Sequence, residues 1–177
     1  PKVHGSDLKA GLILLEDVGD ESFEARLRAR APEQWPELYG EAVDFLVELQ
    51  QAMKDPPANH LVRTRRFDES LLRWELDHFR EWGAAAPFGA LAPKLRAELD
   101  GIFDRLAARL ASGPQAFIHR DYQSRNLHWD GDDLVLIDFQ DGMQGPLPYD
   151  LVALLCDSYV DLGWELQAKL LMRYLLG

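Results

Sequence analysis

Residues 119–126 read HRDYQSRN and residues 137–140 read IDFQ, and two short apolar runs lie between them. The central residues 130–133, Asp-Gly-Asp-Asp, form a turn signal between the two runs. We therefore predict a β-hairpin over this region, with Asp121 in the loop that precedes it. The polar residues at the open end of this hairpin are the candidate functional groups, and the fold of the rest of the chain must hold them in position.

The hairpin register brings three polar side chains together. Pairing about the turn puts Asn126 opposite Ile137 or Asp138, where cross-strand Cβ atoms lie about 5 Å apart. We expect the Asn126 amide and the Asp138 carboxylate to converge, with Asp121 just before them. Two such oxygen ligands suit Mg²⁺ bound together with substrate phosphates, and a separate Asp can accept the proton of an attacking hydroxyl. These groups are the ones that phosphoryl transfer from a nucleotide to a hydroxyl requires.

The composition indicates a single domain and argues against two kinds of partner. The chain has 177 residues, of which 47% are hydrophobic and 28% charged, and this length can bury a sizeable core. A formal net charge of −11 argues against nucleic acid, whose phosphates need a basic face, and against an anionic membrane surface. No apolar run approaches the roughly 20 residues that span a bilayer. The single cysteine cannot form an internal disulfide, which favours a reducing, cytoplasmic setting.

Helical periodicity dominates the remainder of the chain. The predicted helices cover residues 23–31, 33–53, 68–82, 93–111, 149–160 and 164–176, and the predicted strands cover residues 11–17, 116–118, 127–129 and 134–137. Each long helix carries Leu and Phe residues at 3–4 residue spacing, and we expect these stripes to face the core. The strand at 11–17 reads as buried, and Cys156 reads as a small core residue on an apolar helix face. The predicted fold class is α+β, mostly helical, with one small hairpin.

The central motifs resemble those of a known superfamily. Residues 119–126, followed by residues 138–140, look like the catalytic loop and metal-binding motif of the protein-kinase-like superfamily. More narrowly, they resemble the aminoglycoside phosphotransferase family. The pattern HRDYQSRN…IDFQD…GPLPYDL is most similar to bacterial anomeric kinases that phosphorylate N-acetylmuramate and N-acetylglucosamine in cell-wall recycling. The resemblance extends weakly through residues 14–19 and 67–82, and it implies a mostly helical C-terminal lobe whose β-hairpin carries the metal site.

The resemblance implies a nucleotide site and a catalytic centre. Asp121 would be the catalytic base, and Asn126 and Asp138 would hold Mg²⁺. The phosphate donor would be ATP. The residues whose backbone would meet adenine, as the hinge between two lobes, are Leu15, Glu16, Asp17 and Val18.

Supporting and substrate-binding roles follow from the same resemblance. Asp150 resembles the buried Asp that braces the catalytic loop through its backbone, with His119 and Arg120 as further structural support. Gln123 lies two residues after the base, where its amide could contact substrate or phosphate. Asp141 could be a second metal or sugar ligand, or equally a solvated loop carboxylate.

Part of a complete kinase does not occur in this sequence. The resemblance assigns residues 1–19 to the end of an N-terminal lobe and the interlobe hinge, and residues 20–177 to the helical C-terminal lobe. A complete kinase of this kind also has a phosphate-covering loop and a strand Lys that grips the phosphates. Neither pattern is present here.

Two explanations account for those missing parts. Either the chain is a piece of a longer kinase, or it is a standalone lobe that binds without catalysing. We favour the piece, because a lobe retained only for binding has no chemical need for Asp121, Asn126 and Asp138 together. On this interpretation the isolated chain is expected to be inactive.

Several functions fit these residues. The leading hypothesis is an ATP- and Mg²⁺-dependent kinase acting on an amino sugar, and the rival in the same class is an aminoglycoside phosphotransferase, whose cationic substrate would suit the acidic chain. Other classes are a kinase-like binding module without turnover and a Mg²⁺-dependent hydrolase that uses Asp121 and Asp138. The sequence does not indicate an oligomeric state.

Overall fold

The computed structural model describes the backbone of residues 1–177 and every side chain except that of Phe88. The molecule divides into two compact units. The first comprises Pro1–Ala52, His119–Gly142 and Pro148–Gly177, and the second comprises Met53–Ile118 and Met143–Leu147. The boundary at residue 19 between lobes of a larger protein stays a prediction.

Strands and helices follow one another in blocks along the chain. The helices are α1 (Phe23–Arg28), α2 (Trp35–Ala52), α3 (Glu69–His78), α4 (Ala86–Phe88), α5 (Pro93–Ser112), α6 (Tyr149–Leu155) and α7 (Gly163–Leu176). The strands are β1 (Val3–Asp7), β2 (Leu12–Leu15), β3 (Gln115–Ile118), β4 (Leu127–Asp130), β5 (Asp133–Leu136) and β6 (Met143–Pro146). This mixture confirms the predicted α+β class. Among the described helices, none is both long enough and apolar enough to cross a bilayer.

The core of the first unit forms where α2 packs against α7 and α6. Along α2 the side chains of Tyr39, Ala42 and Leu46 recur at 3–4 residue spacing and are fully buried. From α7 the Tyr174 hydroxyl donates to Gln50 Oε1 at 2.7 Å. Ala42 and Leu46 belong to the apolar stripe predicted for this helix, whereas Tyr39 was not predicted to belong to it. The other members of the predicted stripe are half-buried: Leu38, Phe45 and Leu49.

The predicted hairpin at the centre of the sequence is present. β4 and β5 pair antiparallel with Leu127 opposite Leu136 and Asp130 opposite Asp133, so the loop has two residues. The first of them, Gly131, has φ 64°, a value that suits glycine in a tight turn. The Arg26 guanidinium of α1 lies 4.0 Å from the centre of the buried Trp129 ring and fixes the hairpin to the unit.

The first predicted strand is present, but its predicted burial is wrong. β2 pairs antiparallel with β1 in a two-stranded sheet. Its four apolar side chains are between 42% and 65% exposed, and β1 is exposed throughout. Burial of a strand depends on what packs over its faces, which an apolar composition does not supply.

The helix predicted at 149–160 ends early. α6 stops at Leu155, and Cys156 is its exposed C-cap with non-helical φ and ψ of −108° and 24°. The prediction that Cys156 belongs to the core is therefore wrong. The physical reason lies in the next residue, Asp157, whose buried carboxylate accepts backbone N–H groups from outside the helix and turns the chain away.

In the second unit, α3 packs against α5. Asp68 caps α3 by accepting from the Leu71 N–H at 2.9 Å, and the predicted helix continues past His78 as a π-helical stretch. The α5 stripe is only partly core-facing. Phe103 is buried, and Leu99 and Leu110 are half-buried. The remaining side chains of the predicted stripe are between 40% and 51% exposed: Leu95, Ile102 and Leu106. The reason is that the neighbouring helix α3 covers only one line of side chains along α5.

Strand β6 was not predicted from the sequence, because Met-Gln-Gly-Pro has little strand propensity. It pairs antiparallel with β3, and Gly145 lies opposite Ala116. A Cβ at Gly145 would lie 2.3 Å from Cδ1 of Ile118 and 3.1 Å from Cβ of Phe67. The glycine is required for close approach at this position.

Replacing Gly145 by alanine is expected to destabilise the protein. The new methyl group would overpack against Ile118, at a cost of about 1–3 kcal/mol. Urea unfolding followed by tryptophan fluorescence measures this free energy. Gly5→Ala is the matched control, because a Cβ at Gly5 meets no atom within 4 Å. Equal unfolding free energies for the two variants would contradict the prediction.

Candidate active site

The loop at 119–126 is held at its beginning by one buried carboxylate. Asp150, in the first turn of α6, is fully buried. Its Oδ2 accepts from the His119 backbone N–H at 2.6 Å, and its Oδ1 accepts from the Arg120 backbone N–H at 3.0 Å. Such charge-assisted bonds are about twice as strong as neutral ones. Asp150 therefore fixes the backbone immediately before Asp121.

Backbone strain is concentrated in the predicted site. Within the described chain, the non-glycine residues with positive φ are Arg120 at 81° and Asp138 at 64°. Such conformations cost on the order of 1–3 kcal/mol each and persist where surrounding contacts enforce them. Arg120 lies directly before the predicted base, and Asp138 is itself a predicted metal ligand. This coincidence supports a functional role for both segments.

Asp121 and Asn126 are connected through the loop backbone. The Asn126 side-chain nitrogen donates to the Asp121 backbone carbonyl at 2.9 Å, and the Gln123 N–H donates to the same carbonyl at 3.0 Å. The Asn126 N–H donates to the Gln123 carbonyl at 2.9 Å. Because the amide nitrogen of Asn126 is used, its amide oxygen is the atom left for a cation. The Asp121 side chain is partly exposed.

Asp138 stands at the open end of the hairpin. The Ile137 N–H donates to the Asn126 carbonyl at 3.0 Å, which places Asp138 one residue beyond the backbone partner of Asn126. The Asp138 side chain is exposed, and its Oδ1 accepts from Gln140 Nε2 at 2.5 Å. Gln140 therefore orients one carboxylate oxygen, and the other remains for a ligand.

The pKa of the buried His119 ring depends on burial and on the charges around it. Burial lowers the pKa of His119, and the negative charges of Asp121 and Asp138 oppose this shift. Both carboxylates therefore lie within electrostatic reach of one imidazole. The backbone of Ile137 also favours the charged ring, but no described atom forms a hydrogen bond of normal geometry with either ring nitrogen. A neutral, packed ring fits these surroundings better than a proton shuttle.

The predicted hinge adjoins the hairpin through Gly19. Its carbonyl oxygen lies 3.2 Å from Nδ1 of His128 on β4, and Val18 before it is buried. The other predicted hinge side chains are exposed: Leu15, Glu16 and Asp17. Gln123 and Asp141 are partly buried. The ligand contacts predicted for these residues stay predictions.

Sequence reasoning missed three residues that hold the loop. Tyr122 is fully buried, and its hydroxyl donates to the Ala42 carbonyl at 2.6 Å. Ser124 is fully buried and hydrogen-bonds to Asp157. An aromatic residue inside a polar loop was the available signal for Tyr122. Nothing in the sequence distinguishes Asp157 from the solvated acidic residues around it.

The donor set fits Mg²⁺ in kind. One amide oxygen, from Asn126, and one carboxylate, from Asp138, match a cation that keeps several waters and takes few protein ligands. Among the described residues, no group of three or more His, Cys, Asp or Glu side chains forms a metal cluster.

The chain belongs to the phosphotransferase enzyme family, whose sequence model matches residues 1–176. It is 34% identical to the N-acetylmuramate/N-acetylglucosamine kinase of Neisseria meningitidis serogroup B over 176 aligned residues. This alignment covers 98% of this chain and 51% of that protein. The protein of the same name from Pseudomonas aeruginosa is 34% identical, over 90% of this chain and 45% of its own length. The one from Caulobacter vibrioides is 32% identical, over 99% of this chain and 50% of its own length. The chain spans about half the length of the curated relatives it matches.

Asp150 is expected to make stability depend on pH. Burial raises its pKa to about 6 from the usual 3.8, against the opposing N–H groups of His119 and Arg120. Between about pH 4 and pH 6 the folded state therefore binds more protons than the unfolded state, and this contribution to stability is lost as the pH rises. The unfolding free energy of wild type minus that of Asp150→Asn should fall over this window, by on the order of 3 kcal/mol.

Urea unfolding at closely spaced pH values measures this difference. Val152→Ala, an exposed non-titrating change on the same helix, is the control and should shift the curve without altering its shape. A difference that stays flat or rises between pH 4 and pH 6 would show that Asp150 is not held as described.

Proposed function

We propose that the whole protein is an ATP- and Mg²⁺-dependent kinase that phosphorylates a hydroxyl of an amino sugar. This chain would supply its helical, protein-kinase-like C-terminal lobe. The observation that carries the proposal is the strained, braced loop that presents Asp121 next to Asn126, with Asp138 on the adjoining strand end. The names of the relatives support N-acetylmuramate or N-acetylglucosamine as the acceptor.

The residues of the loop would divide the chemistry between them. The partly exposed Asp121 carboxylate would accept the proton of the acceptor hydroxyl as that oxygen attacks the γ-phosphorus of ATP. The bond from the γ-phosphorus to the β,γ-bridging oxygen would break, and ADP would leave. The neutral His119 would support the loop without competing for this proton. Asn126 and Asp138 would hold Mg²⁺, which when bound neutralises charge on the transferring phosphates.

Other roles follow from the same proposal. Adenine would lie against the backbone of residues 15–18, and Gln123 and Asp141 would face the acceptor or the phosphates. A cell-wall sugar acceptor implies a role in sugar recycling, and ATP as donor implies the cytoplasm. The N-terminal lobe would supply the phosphate-gripping groups that this sequence lacks.

A second candidate is an aminoglycoside phosphotransferase. The formal net charge of −11 favours a cationic antibiotic over a neutral or anionic sugar. The percentage identities to kinases named for amino sugars favour the first candidate.

A substrate panel tests the proposal. The whole protein is incubated with γ-labelled ATP, Mg²⁺ and separate sugars or aminoglycosides, and we expect label on N-acetylmuramate or N-acetylglucosamine. Asp121→Asn should lower kcat by about 10²–10⁴, because the general base is lost, and should leave ATP binding intact. Asp130→Asn, at the exposed hairpin turn, is the control and should keep full activity.

The other outcomes of the panel are distinct. Label on aminoglycosides alone would establish the second candidate. Phosphate release without any acceptor would indicate a hydrolase. Absence of any Mg²⁺–ATP thermal shift would indicate a binding module without turnover. Full activity of Asp121→Asn would show that another group is the base.

Asp138→Ala is expected to weaken nucleotide binding only when Mg²⁺ is present. Loss of a carboxylate ligand should raise the Kd of Mg²⁺–nucleotide by at least about tenfold, or about 1.4 kcal/mol. Calorimetric titration with a non-hydrolysable ATP analogue, with and without Mg²⁺, measures this. Asp132→Ala, in the exposed hairpin loop, is the control. An unchanged Kd in Mg²⁺ would remove Asp138 from the metal site.

A further inference from the structure

A second buried carboxylate holds the loop at its other end. Asp157 Oδ2 accepts from the Ser124 backbone N–H at 2.8 Å and from the Ser124 hydroxyl at 2.5 Å. Its Oδ1 accepts from the Tyr159 backbone N–H at 2.9 Å. Asp157 is only 8% exposed and Ser124 is fully buried. A carboxylate taken out of water is costly unless several donors satisfy it, and here three donors do.

The two carboxylates that hold the loop lie at the beginning of α6 and just after its end. Asp150 lies in the first turn of α6, and Asp157 lies two residues after its last residue. Asp150 binds the backbone of residues 119 and 120, before the predicted base, and Asp157 binds Ser124, after it. A single short segment of chain, residues 150–157, therefore holds the loop on both sides of Asp121.

The part of the loop between these anchors contains the chemistry. Asp121 is joined to Asn126 by the bond from the Asn126 amide nitrogen to the Asp121 carbonyl, and to Gln123 by the backbone. Ser124 lies inside this small turn. Displacement of Ser124 would therefore change where the Asn126 amide oxygen stands relative to the Asp121 carboxylate.

Other contacts near Ser124 act on different parts of the chain. The Glu24 N–H donates to the Ser124 carbonyl at 3.0 Å, which ties α1 to the loop. The Arg125 guanidinium lies 3.7 Å from the centre of the Tyr159 ring. This contact does not involve the side chains of the buried pair, Ser124 and Asp157. Neither contact replaces the two hydrogen bonds that Asp157 receives from Ser124.

We propose that Asp157 is a positioning residue for phosphoryl transfer and acts through Ser124. The pair fixes the spacing between the proton acceptor Asp121 and the cation ligand Asn126, as Asp150 fixes the approach to Asp121. This inference rests on the proposed kinase function. A misplacement of about 1 Å at such a site can lower a rate by about 10²-fold.

The variants Ser124→Ala, Asp157→Asn and the double variant test this in the whole protein. Ser124→Ala should lower kcat about tenfold and Asp157→Asn up to about 10²-fold, with KM for the sugar within about twofold. The Mg²⁺ concentration for half-maximal rate should rise, because Asn126 moves. The double variant should be no slower than Asp157→Asn, because the hydroxyl bond that Ser124→Ala removes is one of those that Asp157→Asn already disrupts.

Hydrogen exchange gives a readout that does not depend on turnover. Backbone amides of peptide 119–126 should exchange faster in both single variants, whereas those of α2 and α7 should not change. Ser158→Ala and Asp161→Asn are the matched controls, since both side chains are exposed and lie close to Asp157 in sequence. Both controls should behave as wild type in rate, Mg²⁺ dependence and exchange.

The outcomes separate the two proposals. If the variants lose only thermal stability, and kcat and Mg²⁺ dependence per folded molecule match wild type, Asp157 is structural and the inference is overturned. If wild type phosphorylates no acceptor, the proposed function fails. Hydrogen exchange is then the measurement that tests whether Ser124 and Asp157 position the loop. Faster exchange confined to residues 119–126 then supports loop positioning, and unchanged exchange overturns it.

Discussion

The buried carboxylate of Asp150 accepts two backbone N–H groups from His119 and Arg120, and the rest of the site depends on this interaction. Arg120 has a positive φ that an L-residue avoids, so it needs contacts that compensate for the strain. The two hydrogen bonds supply them. Because Arg120 is held, Asp121 leaves the backbone in a defined direction, and the turn that carries Asn126 can close behind it.

Burial has two effects in this structure. It raises the pKa of Asp150, and it lowers the pKa of His119, because both shifts favour the neutral form. The acidic groups predicted to meet substrate differ, since Asp121 is partly exposed and Asp138 is exposed. The groups that brace the loop are thus inside, and the predicted reacting groups are at the surface. In the proposed kinase, this division would let the interior orient charged side chains that remain accessible to ligands.

Local patterns in the sequence predicted the hairpin well. Two short apolar runs around an Asp-Gly turn define β4 and β5 through short-range rules, and of the two predicted partners of Asn126 the backbone bond selects Ile137. The helices were predicted for the same reason. Errors arose where packing decides: β2 is exposed, α6 ends at Leu155, and Cys156 faces solvent. Each of these features depends mainly on which other parts of the chain pack over the position, and less on the type of residue found there.

The sequence by itself determined the chemical groups of the site and the family, because the spacing of Asp121, Asn126 and Asp138 is a local property of the chain. Only the tertiary structure decided how those groups are held. Ser124 and Asp157 are 33 positions apart in the chain, and no local pattern indicates that they meet. Burial and hydrogen bonding between distant segments arise from packing, which is why the contact of Asp157 with the loop became visible only in the folded chain, whereas Asp150 was expected from the family resemblance.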